Sequence, residues 1–381
     1  MSKVLIISPF PPPNDGIGEH SRNLATAWKE LGHDVLIISP GRGSRAPLEV
    51  DSGLDVSRSI RVLSIRLARE RVTKFQPDVV FCQFAISGFT TSLVSVIRLC
   101  ALSQSLGAKV ALAMHEASRE LSLLGPLAPR VIRRATSKSD VIVTFSLGET
   151  NALAALNLGR KLVQVPLGNP DRLKPTDSER SKIAEKYSIV DTPTVLSIGF
   201  IHADKGVDRL LESAPFVTKQ IPRAKFLVAG EPRRRRGVFR PLGVRDARHL
   251  RSLKSRALAL RDVTDIDFVG FVSQRDLLPL MSAVTVVALP YRKITQSSIA
   301  SFACAANTPV VATDVAGFRE AFGAGAQYVN PDDAEAFGSV LIDVLENESL
   351  RSSMKHELRE KSSRDSMTEV ARVIVESTME K

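Results

Sequence analysis

His115 and Glu116 follow directly on the apolar run Val110 to Met114, and Lys205 follows a second such run, Val195 to Gly199. A histidine at a strand end can hydrogen-bond a reacting sugar or orient an acceptor hydroxyl, and a neighbouring glutamate can steady the ring. A lysine at a helix start opposes the helix dipole, so its presence points to a compensating anion such as a phosphate. The stretch Thr285 to Val315 reads as a buried strand, a polar loop, a helix start and a second buried strand, and its loop offers Thr295, Gln296, Ser297 and Ser298. Hydroxyls, an amide and free backbone N–H groups at a helix N-terminus suit a phosphate. Simple capping of the helix by Ser297 and Ser298 would use the same residues.

Two further loops carry candidates. After the first strand, Pro9 to His20 includes Gly16 and Gly18, which let backbone amides approach a ligand or else serve a turn. A standard dinucleotide site is excluded, because the loop is long and proline-rich and Ser21 stands where the third glycine is required. Glu19 and His20 are secondary candidates on that loop. Behind Gly230 come Glu231, Pro232 and four arginines, Arg233 to Arg236, which cannot share one face; one or two can clamp a phosphate, or all can be solvated.

The elements that must position these residues alternate along the chain. Strand-like runs at Val4 to Ser8, Asp34 to Ser39, Val79 to Gln83, Val110 to Met114, Val141 to Phe145 and Leu162 to Pro166 are separated by helical patterns. A second set follows at Val195 to Gly199, Phe226 to Gly230, Ile266 to Gly270, Val286 to Leu289, Pro309 to Ala312 and Gln327 to Val329. Parallel strands need crossovers, so the pattern predicts an α/β chain of two doubly wound, Rossmann-like parallel-sheet domains. The polar stretch Gly168 to Pro193 is the natural connector. The expected division is 1–170, joined by the C-terminal helix 365–381, and 171–364. Ligands of such folds bind at the C-terminal ends of the strands, here in a cleft that the two domains face.

Composition narrows the class. At 381 residues with 44% hydrophobic content, the chain has material for two cores, and no run reaches the length of a membrane span. The N-terminus shows no signal-peptide pattern, so the expected location is the cytoplasm. Cys82, Cys100 and Cys304 are widely spaced in apolar surroundings, which fits neither a disulfide framework nor a metal site. A net charge of +11 suggests an anionic partner, but 5% aromatic content and scattered basic residues argue against nucleic acid. Arg61, Arg66, Arg69, Arg71, Arg130, Arg133, Arg134 and Lys138 form a basic set in the first half that suits peripheral contact with an anionic membrane on its cytoplasmic face.

Taken together, the strand-PPPNDGIG-helix opening, LGHDVLII, the His115 and Glu116 pair, VLSIGFIHADKGVDRLLES, FVGFVSQRDLLPLMSA and VALPYRKITQSS with TPVVATDVAGFRE resemble the GT-B glycosyltransferases, specifically the retaining, nucleotide-sugar-dependent family 4. The likeness covers nearly the whole chain. It implies a nucleotide-diphosphate sugar held mainly by the C-terminal domain, a hydroxyl acceptor (glycan, lipid-linked or small molecule) held mainly by the N-terminal domain, and no metal or other cofactor. It assigns Gly16 and Gly18 to the phosphate-facing loop, His115 to the region of the donor sugar, and Lys205 to the diphosphate. Phe200, Glu231, Tyr291, Gln296, Ser297 and Ser298 complete the implied donor site. The family usually has arginine where Phe200 stands, and glutamates where Ile294 and Phe302 stand. Here a Y-x-x-x-x-Q-S loop, Tyr291 to Ser297, takes the place of the acidic motif. A catalytically silent relative acting as a binding or partner subunit is the alternative that these replacements raise.

Overall fold

Four consecutive apolar residues, Val4 to Ile7, are fully buried in the first strand, Lys3–Ile7 (β1). Runs of this kind, without alternation, suit a parallel sheet covered on both faces. The computed structural model describes residues 1–11, 16–41, 48–60, 65–84, 93–115, 117, 125–159, 161–170, 174–233, 240–293 and 297–380. Its contacts divide into two units, Met1–Gly168 with Asp365–Lys381, and Asn169–Arg364.

In the first unit β1 is joined by Asp34–Pro40 (β2), Glu49–Asp51 (β3), Leu54–Ile60 (β4), Val79–Phe84 (β5), Lys109–Met114 (β6), Val141–Thr144 (β7) and Lys161–Gln164 (β8). The sheet runs β3-β4-β2-β1-β5-β6-β7-β8. All neighbours are parallel except β3 and β4, an antiparallel edge hairpin that the apolar runs do not announce. The order reverses between β1 and β5, which creates a crevice at the C-terminal ends of those strands. One face is covered by the helix Gly16–Glu30 and by the C-terminal helix Met367–Met379. Ser366 caps the latter by accepting from the Glu369 amide at 3.1 Å. Its Met367, Val370, Ala371, Ile374 and Val375 join Trp28 and Phe81 in one buried cluster. The Trp28 indole N–H donates to the Ala371 carbonyl at 2.7 Å, so the largest core side chain is also polar-satisfied.

The second unit has Thr194–Ile198 (β9), Lys225–Ala229 (β10), Asp265–Gly270 (β11), Val286–Leu289 (β12), Val310–Thr313 (β13) and Ala326–Val329 (β14), all parallel, in the order β11-β10-β9-β12-β13-β14. Here the order reverses between β9 and β12. The helix Asp177–Lys186 opens the unit with a capping box between Thr176 and Glu179. Phe318, Phe322, Phe226 and Phe337 are fully buried in its core clusters; each such side chain contributes about 1.5–3 kcal/mol. Among the described residues, no helix is long and apolar enough to cross a membrane.

Candidate active site

In the second unit, the loops after β9, β10 and β12 pack backbone against backbone. Gly206 has φ +64°, and a Cβ there would lie 1.8 Å from the Pro290 carbonyl oxygen, so only glycine lets the loop after β9 meet the loop after β12. Gly230, at φ +139°, stands equally close to the Gly199 carbonyl. The Gly230 amide donates to the Gly270 carbonyl at 2.7 Å, and the Ile201 amide donates to the Glu231 carbonyl at 3.1 Å. These contacts place Phe200, Lys205, Glu231 and Tyr291 along one edge of the sheet.

Lys205 ends a short turn, Ala203–Lys205, just before the helix Val207–Gln220. Its ammonium lies 3.7 Å from the centroid of the Tyr291 ring, and no carboxylate pairs with it among the described residues. Tyr291 is buried, its carbonyl accepts from the Thr313 hydroxyl, and its own hydroxyl has no partner among the described residues. A Cβ on Gly199 would lie 3.6 Å from that hydroxyl and 3.7 Å from Ile299, which puts the start of the helix Ser298–Ala306 beside the end of β9. Ser297 is the N-cap of this helix, yet its side chain makes no capping hydrogen bond. The free amides of the first turn therefore keep their capacity for another acceptor. Arg233 lies over the Phe200 ring, 4.8 Å from its centroid.

The loop is braced by a pair that the sequence does not reveal. Arg292 holds Asp208 through two hydrogen bonds of 2.8 and 2.6 Å and donates to the Ala203 carbonyl at 2.7 Å, while its amide donates to the Asp204 carbonyl at 2.8 Å. Burial pushes the Asp208 carboxyl up, but the Arg292 hydrogen bonds and charge outweigh it and leave the group below its ordinary value. The partners are 84 positions apart; the pairing of β9 with β12 and the Pro290–Gly206 contact bring their loops together.

In the first unit, Gly16 and Gly18 are helical residues. They open the helix Gly16–Glu30, and neither has the positive φ that a special turn would need. That helix carries His20 inward. His115 stands at the end of β6, and both rings pack on Phe145 with centroids 5.0 and 4.6 Å away. Between the histidines lies Gln83 of β5, fully buried, which sequence reasoning passed over because FCQF reads as plain strand. In register it pairs with Ala113, two residues before His115. Burial pushes the His20 pKa down to about 4, against the opposing hydrogen bonds to Gln83 and Leu167. Glu116, Gln296, Ile294, Arg61 and residues 234–236 lie outside the described residues. No cluster of His, Cys, Asp or Glu suited to a metal occurs among the described residues.

A parallel-sheet unit that brings together a helix start, a lysine without a carboxylate partner and a tyrosyl hydroxyl without a hydrogen-bond partner, both among the described residues, has the chemistry to hold an anion. Family comparison matches residues 179–361 to glycosyl transferases group 1 and residues 15–168 to the glycosyl transferase 4-like domain. The chain is a GT-B glycosyltransferase of the family 4-like group. Among relatives, the glycogen synthase of Mycobacterium tuberculosis (strain ATCC 25618 / H37Rv) is 22% identical over 378 residues, 91% of this chain and 86% of that protein. The alpha-D-kanosaminyltransferase of Streptomyces kanamyceticus is 29% identical over 152 residues, 39% of this chain and 36% of that one. Among solved structures, Anabaena HepE in complex with UDP and glucose superposes with a TM-score of 0.73 at 15% identity over 99% of both chains. Sucrose-phosphate synthase from Thermosynechococcus elongatus gives 0.71 at 17% identity, over 99% of this chain and 97% of that one. Both structural likenesses bear on the fold. The matches are to sugar-transferring enzymes, and none favours the silent binding subunit.

Proposed function

We propose that this glycosyltransferase takes a sugar from a nucleotide-diphosphate donor and passes it to a hydroxyl acceptor with retention at the anomeric carbon. The observation that carries the reading is the Lys205 ammonium on the face of Tyr291, without a carboxylate partner among the described residues, at the switch point of the second unit. An uncompensated cation beside unfilled helix amides suits the two linked phosphates of such a donor, and these groups neutralise the charge that grows on the leaving diphosphate. Ser297 and Ser298 amides, with Gln296, sit on the phosphate side of this assignment, and Tyr291, Phe200 and Glu231 complete the donor site. His115, with Glu116, meets the transferring sugar or acceptor hydroxyl on the first unit, where Gly16 and Gly18 open the neighbouring helix. The UDP and glucose bound by HepE support the donor class.

Retention follows in this reading from front-face substitution, with the departing diphosphate helping to deprotonate the acceptor hydroxyl. Charge neutralisation by lysine and amides leaves no step for a metal, so transfer should persist in EDTA. Thermal shifts with uridine, guanosine and adenosine diphosphates and their sugars test the reading. One nucleotide series should raise the melting temperature through binding to the folded form. No shift with any of them, or a product whose anomeric proton coupling shows inversion, overturns it. The basic residues, among them Arg133 and Arg134 on the helix Ala128–Ala135, support a purely electrostatic contact with anionic membranes, because Ile132 and Ala135 of that helix are buried inward. Flotation that is indifferent to anionic lipid would remove this part. A nucleotide-diphosphate donor and this electrostatic contact with anionic lipid both fit a cytoplasmic protein.

A further inference from the structure

The amide of Gln83 stands between two histidines and two serines. The terminus placed as Oε1 is 3.2 Å from His20 Nδ1 and 2.5 Å from His115 Nε2; the other is 2.8 Å from Ser21 Oγ, which is 2.5 Å from Ser8 Oγ. The other nitrogen of His20, Nε2, is 2.8 Å from the Leu167 carbonyl. A glutamine amide has the same shape in both orientations, so its partners decide which end is nitrogen.

Proton counting separates the two orientations. The Leu167 carbonyl only accepts, so His20 Nε2 carries a hydrogen. With the amide oxygen toward the rings, His20 Nδ1 must carry one as well, which makes a buried imidazolium with no carboxylate partner among the described residues. With the amide nitrogen toward the rings, its two N–H groups donate to His20 Nδ1 and His115 Nε2. Its oxygen then accepts from the Ser21 hydroxyl, and Ser21 Oγ accepts from Ser8. No charge is buried; the single Ser8 hydrogen goes to Ser21 in place of the Pro9 carbonyl 2.9 Å away, and the Ser21 hydrogen goes to Gln83 in place of the Ile17 carbonyl, also 2.9 Å away, which keeps its helical amide. The low pKa of His20 agrees with this neutral arrangement.

We infer that Gln83 turns its amide nitrogen to both histidines and so fixes His115 as the tautomer with its hydrogen on Nδ1, which makes Gln83 a positioning residue for that ring. Its place in sugar transfer rests on the reading of His115 given above; the tautomer itself does not. His115 then carries its hydrogen on Nδ1, and its Nε2 lone pair is committed to Gln83, which removes that nitrogen as a general base.

The test is two-bond 1H–15N correlation of the full-length protein labelled on histidine nitrogen, at neutral pH, with the two rings assigned by signal loss in His20→Asn and His115→Asn. The expected spectra show hydrogen on Nε2 of His20 and on Nδ1 of His115. Gln83→Glu replaces a donor by an acceptor and should move the His115 hydrogen to Nε2 and charge His20. Hydrogen on His115 Nε2 in the unaltered protein, or an imidazolium at His20, overturns the inference, as does an unchanged His115 tautomer in the folded glutamate variant. Should that variant not fold, the unaltered protein's spectrum decides alone. No donor is needed, so a negative result here leaves the proposed activity standing, and failure to bind nucleotides leaves the tautomer result standing.

Discussion

The two units reach comparable sheet edges by opposite means. The second unit makes its edge from charge and backbone: Lys205 on Tyr291, the Arg292–Asp208 pair, and loops that touch through Gly206 and Gly230. The first makes its edge from buried neutral side chains, with Gln83 between His20 and His115. Charge suits the holding of an anion, whose binding energy is electrostatic and tolerant of small displacements. A neutral hydrogen-bonded lattice suits orientation, because each donor has one acceptor and a rotated ring loses its partner.

The comparison can be broken most severely at Gly206. Gly206→Ala adds a methyl group at the Pro290 carbonyl in a left-handed conformation, and we expect a loss of about 4 kcal/mol and of nucleotide binding, read by thermal unfolding with and without ligand. A stable, binding-competent variant would show that the backbone packing does not shape the edge. Next in size, Lys205→Ala should lower kcat/KM by about 10²–10³ with only a small change in melting temperature, since it removes a charge and one cation–π contact, with the Tyr291 ring. Unchanged turnover would remove it from the donor site.

The first unit answers to pH instead. Because His20 titrates near 4 when folded and near 6.5 when unfolded, the unfolded chain binds the extra proton between those values. Stability is therefore complete above pH 6.5 and falls as pH drops toward 4, by on the order of 3 kcal/mol. Trp28 is the chain's one tryptophan and lies in this unit's core, so urea unfolding followed by its fluorescence reads the effect directly. A His20→Gln variant that keeps the same pH slope would assign the slope to other groups. Smallest of all, Arg292→Lys should cost about 1 kcal/mol, since a partly exposed pair loses its bidentate geometry and keeps its charge. A larger loss in binding than in stability would sharpen the view that Arg292 braces the Lys205 loop.

What the sequence discloses follows from the kind of interaction involved. Buried parallel strands are apolar throughout, so β1, β5, β6 and β9 stand out, and the strand ends at His115 and Lys205 come with them. The hairpin of β3 and β4 does not, because Glu49–Asp51 is a three-residue edge strand whose single apolar residue, Val50, is exposed between two acids, and LDVSRSI is half polar. Gly16 and Gly18 read as loop because glycine disfavours helix, yet packing of Leu24 and Trp28 on the sheet extends the helix back to them. Gln83 and the Arg292–Asp208 pair were hidden for another reason. Their partners are distant in sequence, and only the strand order brings them together.

The helix Met367–Met379 closes the cluster around Trp28 although its Ala371 stands 343 positions further along the chain. During synthesis, the first unit's earlier residues must wait for this helix, made after the whole second unit, before their apolar face is covered. The first unit is thus begun before the second and completed after it, and loss of this helix would be felt around Trp28, far away in sequence.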